Sequence, residues 1–449
     1  MIGIGGAGMA PLAEILLEEG YALSGSDNNP SDTLEHIKSL GIPVYMGHHA
    51  ENLRGAEMVV HTAALLSDNP ELCAAKEMGI PIFERAELFG AITRMYGNCI
   101  AVCGTHGKTT TTSLLTQIMI LADKDPSAVI GGRLPMIDSN GLVGHSENMV
   151  CEACEYQDTF LHLSPDTAVI LNIDKDHMEY FKTEENLIRS FHKFAEMATR
   201  AVIYNLDDAK TLRAVDGITG KDRITFGTSE GADYRAVNVQ LYNGAFPEYD
   251  LYIRGEFAGH IALAIPGIHN VDNSLAAIAA AHYNGVTVEQ LTNAIASFRG
   301  AGRRFEILGR FNGVTIADDY AHHPAELKVT LTAALEMDYR EVWAVFQPFT
   351  FSRTYMLLED FADALKMPQH AVLTQIMGSR ERNTYGITTQ QLADKIPGSV
   401  WFETFEEVAQ YIVDHAKEGD LVITLGCGDI YKAAKIMMKL YRAQGAQEG

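Results

Sequence analysis

The chain has 449 residues, of which 47% are hydrophobic and 21% charged, with a formal net charge of −23 at pH 7. That length exceeds one core and implies about three domains, while the negative charge argues against nucleic acid or an anionic membrane as the main partner. No apolar run reaches membrane-spanning length, the first residues lack the basic region of a signal peptide, and the six cysteines suit a reducing compartment, so a cytoplasmic enzyme is expected.

Residues 1–95 alternate short strand and helix patterns. Ile2-Gly3-Ile4 is a strand remnant, and Gly3-x-Gly5-x-x-Gly8 completes a GxGxxG turn. A helix is predicted over 9–19, then a strand over 21–26 that ends at Asp27. Glycines followed by a carboxylate at this distance form the dinucleotide fingerprint, which any diphosphate can satisfy.

The next segment opens on the apolar run 99–103, followed by Gly104-Thr105-His106-Gly107-Lys108-Thr109-Thr110-Thr111 and a helical pattern over 113–123. Strand, glycine turn, Lys-Thr and helix is the layout of a phosphate-binding loop. Backbone N–H groups and the positive helix end hold phosphates, the lysine reaches the outer ones, and a hydroxyl binds Mg²⁺. The motif is a shortened one, with Val102 where the full pattern has its first glycine. Four threonines, 109–112, are poor helix starters and point to a demand for hydroxyls. A nucleoside triphosphate is the expected ligand, and Lys108 is expected to be an exposed loop residue. Cys99, Cys103, Cys151 and Cys154 have ligand-like spacing, yet the first three lie in or at the end of apolar runs, where cysteine packs as a small hydrophobe.

Further strands are predicted over 148–151 and 167–173, an antiparallel flap over 223–265, and a helix over 270–283. After 298–303 come five strand candidates, 314–317, 342–346, 371–374, 400–402 and 421–425, alternating with helices. That alternation is the mark of a second doubly wound α/β domain.

In open α/β sheets ligands bind beyond the carboxyl ends of the strands. Asp27, Glu152, Asn172, Asp174, Asp176, His177, Asp318-Asp319-Tyr320, Gln347 and Gly426-Cys427-Gly428-Asp429 all fall at such ends. Their recurrence predicts a site built between domains. Glu152 is the carboxylate type that Mg²⁺ prefers. On chemistry alone His177 divides evenly between ligand, helix cap and buried polar group.

With these residues in view, the chain resembles the Mur ligases, and within them the branch that joins L-alanine to UDP-N-acetylmuramate. The likeness rests on the loop 104–110, Gly3-Ile-Gly-Gly-Ala-Gly-Met9, Asn172-Ile-Asp-Lys-Asp-His177 and Pro266-Gly-Ile-His-Asn-Val-Asp-Asn273. It continues through Gly302-Arg-Arg-Phe-Glu306, Asp318-Asp-Tyr-Ala-His-His-Pro324, Phe346-Gln-Pro348 with Ser352-Arg-Thr354, and Gly426-Cys-Gly-Asp429. The resemblance implies an α/β fold of three domains. These are a Rossmann-like UDP-substrate domain at 1–95, a central phosphate-loop ATPase domain at 96–302 with a mostly parallel sheet and a small flap, and a Rossmann-like amino-acid domain at 303–449.

It also implies a reaction. ATP would convert the carboxylate of UDP-N-acetylmuramate to an acyl phosphate, which the amine of L-alanine attacks in peptidoglycan precursor synthesis. Lys108, His177, His322 and Arg353 would be the catalytic set. Gly104, Thr105, His106, Gly107, Thr109 and Thr110 would surround the phosphates, Asn270 and Asn273 the adenine, Arg304 the nucleotide and Asp319 the ribose. Thr109, Glu152 and His177 would hold Mg²⁺. Gly5, Gly6, Ala7, Gly8 and Met9 would wrap the UDP diphosphate, near Asp27 and His61-Thr62-Ala63, while Tyr320 and His323 would face the acceptor.

Three departures from the family pattern stand out: a short first strand, Cys154 where many members have Asp, and His61 where Ser or Thr is common. Two alternatives differ in kind. A ligase recycling a murein tripeptide onto UDP-N-acetylmuramate would share nearly all the motifs. An NAD-dependent oxidoreductase would use Gly3, Gly5, Gly8 and Asp27 but leave the Lys108 loop unexplained.

Overall fold

The computed structural model describes residues 1–63, 65–378 and 381–445. The chain clusters into two compact units. The first comprises Met1–Val239, Tyr249–Ala262 and His269–Arg299, and the second comprises Gln240–Glu248, Leu263–Ile268 and the chain from Gly300 onward.

In the first unit, strands Gly25–Asp27 and Val44–Met46 pair in parallel, as do Val59–His61 and Ile82–Glu84. Ile2 bridges Ser26 on one side and His61 on the other, so one residue joins the two pairs. The strand predicted over 21–26 starts only at Gly25. Tyr21 is 57% exposed, so the run before Gly25 has no face to bury until it meets Ile2. Helix Ala10–Glu18 follows the glycine turn and buries Leu12, Ala13 and Ile15.

The largest sheet has ten strands. Its order is Glu256–Ala262, Phe246–Ile253, Tyr234–Tyr242, Asp222–Gly227, Ala201–Asn205, Thr167–Ile170, Asn98–Cys103, Asn148–Glu152, Ser127–Leu134 and Ser139–Leu142. The strands around Asn98–Cys103 are parallel. Short loops join the three strands over 234–262, a connection that only antiparallel pairing allows. The flap continues the main sheet through a short parallel step between Phe226–Gly227 and Tyr234–Arg235. Sequence patterning missed the antiparallel edge pair Ser127–Leu134 and Ser139–Leu142, because Gly131 and Gly132 interrupt its alternation. Cys99, Cys103 and Cys151 are fully buried in the apolar core, with Cys99 Sγ 3.8 Å from Cys151 Sγ.

The helix after the phosphate loop spans Lys108–Leu121 and so begins five residues before the predicted 113. The threonine run is inside it. Thr109, Thr111 and Thr112 are buried, and Thr116 Oγ1 donates to Thr112 O at 2.8 Å. Tertiary burial overrides a weak intrinsic preference here. Thr112 Oγ1 and Ser113 Oγ, both buried, have no hydrogen-bond partner among the described residues.

The second unit holds a six-stranded sheet in the order Glu306–Phe311, Val314–Asp319, Leu421–Leu425, Val342–Phe346, His370–Thr374 and Val400–Phe402. All five predicted strands are present and parallel. The first strand is an antiparallel edge with a register shift between Ile307 and Gly309, which spoils the alternation that would have revealed it. Two apolar clusters are built on this sheet. One contains Leu327, Leu331 and Phe361, and the other Val408, Ile412 and Met437. Among the described residues, no helix is long and apolar enough to cross a membrane.

Candidate functional site

Strand Asn98–Cys103, buried at every residue, delivers the chain to Gly104. Gly104 (φ 143°) and Gly107 (φ 86°) take left-handed backbone, which only glycine adopts without strain. A Cβ on Gly107 would also sit 2.1 Å from Asn273 Oδ1. The loop is clamped by the segment after Thr167–Ile170. Thr105 N–H donates to Asn172 O (3.0 Å), His106 N–H to Asn172 Oδ1 (2.8 Å), and Asp174 N–H to Thr105 Oγ1 (2.8 Å). Asn172 and Asp174, placed at a strand end by sequence, therefore shape the loop.

Lys108 is not the exposed loop residue expected. It opens the helix with a side chain only 15% exposed. Its Nζ donates to Gly104 O (2.5 Å), Thr105 O (3.1 Å) and both carboxylate oxygens of Glu155 (3.1 and 2.9 Å). Burial alone would lower its pKa. The adjacent Glu155, with Cys154 and Glu152, outweighs that and raises it, so the lysine stays charged.

Glu152 ends its strand half-buried and accepts from Gly131 N–H at 2.9 Å. A Cβ on Gly131 would stand 2.3 Å from that same carboxylate oxygen. His177 (φ 54°) precedes the short helix Met178–Phe181, with its ring 4.7 Å from that of Tyr156 and its nitrogens 3.7 Å from Asp176 and 3.5 Å from Glu179. The Thr109 hydroxyl and the Glu152 carboxylate are hard oxygen donors. They suit a Mg²⁺ that shares its remaining positions with phosphate oxygens and water.

Asn270 and Asn273 are buried at the start of helix Asn270–Tyr283, where Asn273 Nδ2 donates to Asn270 Oδ1 at 2.8 Å. Between them, burial and then the nearby Asp207 push the Asp272 carboxyl up to about 6.

At the first glycine turn, Asp27 accepts from Gly5 N–H and Asn29 N–H, both at 3.0 Å, and so holds the turn closed. Thr62 lies against Gly3, where a Cβ would meet its methyl at 2.7 Å, and His61 Nδ1–H donates to Thr62 O at 3.0 Å. Met9 turns inward. Its side chain is 1% exposed and its N–H donates to Gly6 O, so it offers a ligand neither. Gly8 faces Arg85, the first residue of helix Arg85–Thr93, and a Cβ on Gly8 would stand 3.1 Å from the guanidinium. Arg85 is half-buried, its guanidinium makes no hydrogen bond or ion pair among the described residues, and it lines one cavity together with Glu152 and Cys154.

In the second unit, Arg303 is consumed by structure. It donates to Asp318 (2.7 Å), Gly428 O (3.1 Å) and Gly426 O (2.5 Å) between the rings of Tyr320 and Tyr431. Arg304 lies 5.0 Å over the Tyr320 ring. Asp319 is buried and accepts from Phe305 N–H and Ala321 N–H (2.8 Å each) and from Thr330 (3.2 Å). Burial pushes its carboxyl up to about 6 despite the pull of Arg304. His322 Nδ1–H donates to Tyr320 O (3.1 Å), and burial, only partly opposed by Glu326, lowers its pKa with help from Arg353. His323 caps helix Pro324–Glu336, with Nδ1 accepting from Ala325 N–H and Glu326 completing the capping box. Arg353, half-buried, makes no hydrogen bond or ion pair through its guanidinium among the described residues.

Three family domain models match consecutive stretches of the chain. They are "Mur ligase family, catalytic domain" at residues 1–96, "Mur ligase middle domain" at 102–281 and "Mur ligase, glutamate ligase domain" at 303–428. A UDP-N-acetylmuramate–L-alanine ligase of Caldanaerobacter subterraneus subsp. tengcongensis is 42% identical over 440 residues, covering 97% of this chain and 95% of the relative. The chain belongs to the Mur ligase family.

A second relative of the same name, from Alkaliphilus metalliredigens, is 40% identical over 443 residues, covering 98% of this Mur ligase and 96% of the relative. Among solved structures, the UDP-N-acetylmuramate-alanine ligase MurC of Thermotoga maritima superposes with a TM-score of 0.85 at 26% identity, covering 99% of this chain and 98% of that one. A murein peptide ligase of Psychrobacter arcticus shares the fold, with a TM-score of 0.78 at 22% identity and 98% of each chain covered. None of these relatives supports the oxidoreductase alternative.

Sequence reasoning passed over three residues of this Mur ligase that the geometry brings forward. Glu155 stands in none of the motifs quoted above, yet it is the carboxylate on Lys108. Arg85 carries no motif at all. Asp272 lay inside a quoted motif, but only packing reveals its perturbed carboxyl.

Proposed function

We propose that this Mur ligase joins L-alanine to UDP-N-acetylmuramate at the expense of ATP, in the cytoplasm, giving UDP-N-acetylmuramoyl-L-alanine, ADP and phosphate. The observation that carries the reading is likeness over nearly the whole chain to ligases of that name. The strand-end residues supply a chemistry to match. We assign UDP-substrate, ATP and amino-acid binding to residues 1–95, 96–302 and 303–449 respectively.

In this scheme Lys108 neutralises the outer phosphates, and Thr109, Glu152 and His177 would hold Mg²⁺, which when bound spreads the charge of the transferring phosphoryl group. The loop N–H groups and Thr110 line the phosphates, Asn270 and Asn273 take the adenine, Arg304 the nucleotide and Asp319 the ribose. The turn from Gly5 to Gly8, beside His61, Thr62 and Ala63, takes the UDP diphosphate, and Arg85 supplies the cation there. The substrate carboxylate attacks the γ-phosphorus, ADP leaves, and an acyl phosphate forms. The alanine amine then attacks the acyl carbon, and phosphate departs as the amide closes. Tyr320 and His323 border the acceptor, and Arg353 anchors its carboxylate. His322, which keeps Nδ1 protonated toward Tyr320 O, offers Nε2 to the amine proton. Its lowered pKa keeps it neutral and able to accept.

Phosphate release measured with UDP-N-acetylmuramate and each acceptor tests this. L-alanine should support turnover, glycine and L-serine should react at higher concentration because one methyl group is worth only about 1–3 kcal/mol, and an L-alanyl tripeptide should react poorly. A tripeptide preference would move the chain to the peptide-recycling ligases.

A further inference from the structure

The lysine on which the phosphate loop depends is already engaged. An ammonium has three N–H donors, and Lys108 Nζ has four oxygens within reach: Gly104 O, Thr105 O and both oxygens of Glu155. The Glu155 side chain is 2% exposed and that of Lys108 15%. Water therefore does not screen this pair as it screens a surface one, and breaking it without replacement is unfavourable. The partners come from different elements. Lys108 opens the helix Lys108–Leu121, while Glu155 lies three residues beyond Glu152, just before the turn Tyr156–His162. An outer phosphate needs the same N–H groups.

We propose that Glu155 is a latch: its carboxylate holds Lys108 and must yield the lysine to the outer phosphates of ATP. The inference rests on the ATP reading of the loop. It makes Glu155 a positioning residue that competes with nucleotide rather than assisting it. Once the γ-phosphoryl group has left, Lys108 swings back to Glu155 as ADP departs, so the same carboxylate that weakens binding hastens release.

The test is nucleotide binding to the full-length protein, measured for ATP and ADP by titration at fixed Mg²⁺. Glu155→Gln keeps the shape and an acceptor but removes the competing charge. It should tighten both nucleotides about tenfold or more, lower KM for ATP and lower kcat through slower ADP release. Glu155→Asp, which shortens the reach and spoils the two-oxygen contact, should shift binding the same way by less, and it serves if the Gln variant folds poorly. Unchanged or weaker binding in a folded variant overturns the latch. Absence of ATP binding by the unaltered protein would instead refute the ATP reading of the loop.

Discussion

This chain contains two glycine turns that each lead into a helix, and they solve one electrostatic problem differently. The turn at 104–107 carries its own cation, because Lys108 is the first residue of the helix it starts. The turn at 3–8 precedes Ala10–Glu18 and has no lysine or arginine of its own. The cation beside it is Arg85, brought from another helix onto Gly8. The contiguous cation is restrained by a buried glutamate, whereas the delivered guanidinium has no hydrogen-bond or ion-pair partner among the described residues. In an acidic chain, a half-buried arginine left unpaired is costly unless an anion completes it. The lesson is that the glycine turn itself can be read from sequence, whereas the cation beside it can be read only when it is adjacent in sequence.

The strongest way to break the comparison is Lys108→Ala. We expect ligation to fall at least a hundredfold, since a preorganised charge contact is worth about 2.7–4 kcal/mol of barrier. Stability should fall as well, by roughly 3–5 kcal/mol, because Glu155 is left buried and uncompensated. Adding Glu155→Ala should restore the urea midpoint but not turnover. If the single variant unfolds no more readily than the parent, the pair is not the buried tie described.

Arg85→Met addresses the other turn. The long apolar stem is retained and the charge is lost, so preference for UDP over UMP should drop by about 1.5–3 kcal/mol, roughly ten- to a hundredfold, with ATP affinity and stability unmoved. An intact preference would show that the first turn holds its diphosphate with backbone groups alone.

Gly131→Ala sharpens the metal side. The added methyl would press on the Glu152 oxygen that Gly131 N–H now holds, and displaced ligand support typically raises the metal requirement about 10–100-fold. Titration of activity against Mg²⁺ reads this. Matching the parent's titration would remove Glu152 from the assignment.

The last effect lies outside both turns and is confined to acid pH. The Asp319 carboxyl, near 3.8 when unfolded, is pushed up to about 6 by burial. Between those values the unfolded chain ionises and the native one does not, so this group's contribution falls as pH rises from about 4 to 6 and is flat above. Asp319→Asn should remove that decline, up to about 3 kcal/mol by linkage, while Asp272 leaves a residual slope of the same sign. Unfolding midpoints measured from pH 4 to 8 give the answer, and an unaltered slope would mean Asp319 ionises normally.

These contrasts show how far the sequence could be read. The buried parallel strands on either side of the phosphate loop were legible because continuous apolar runs ended in chemically distinctive residues, as at Cys103-Gly104 and Cys151-Glu152. The two antiparallel edges were not, since Gly131 and Gly132 in one, and the register shift before Gly309 in the other, erase period-two alternation. Site residues divide the same way. Lys108 and Glu152 stand in motifs, whereas Arg85 depends on a helix folding back onto Gly8. His323 was legible as a polar residue but not as a cap, because capping is decided by where Pro324 starts the helix.

The two hydroxyls at Thr112 and Ser113, sealed in the second turn of the loop helix without a partner among the described residues, bear on heat tolerance. Each leaves an unmet polar group in the interior, worth about 1–3 kcal/mol in mutational series. Valine at 112 and alanine at 113 would relieve them at little change in volume. The helix that presents Lys108 is therefore not tuned for maximal rigidity, and thermostabilised variants selected from this protein should gather substitutions at these two positions before they touch the loop itself.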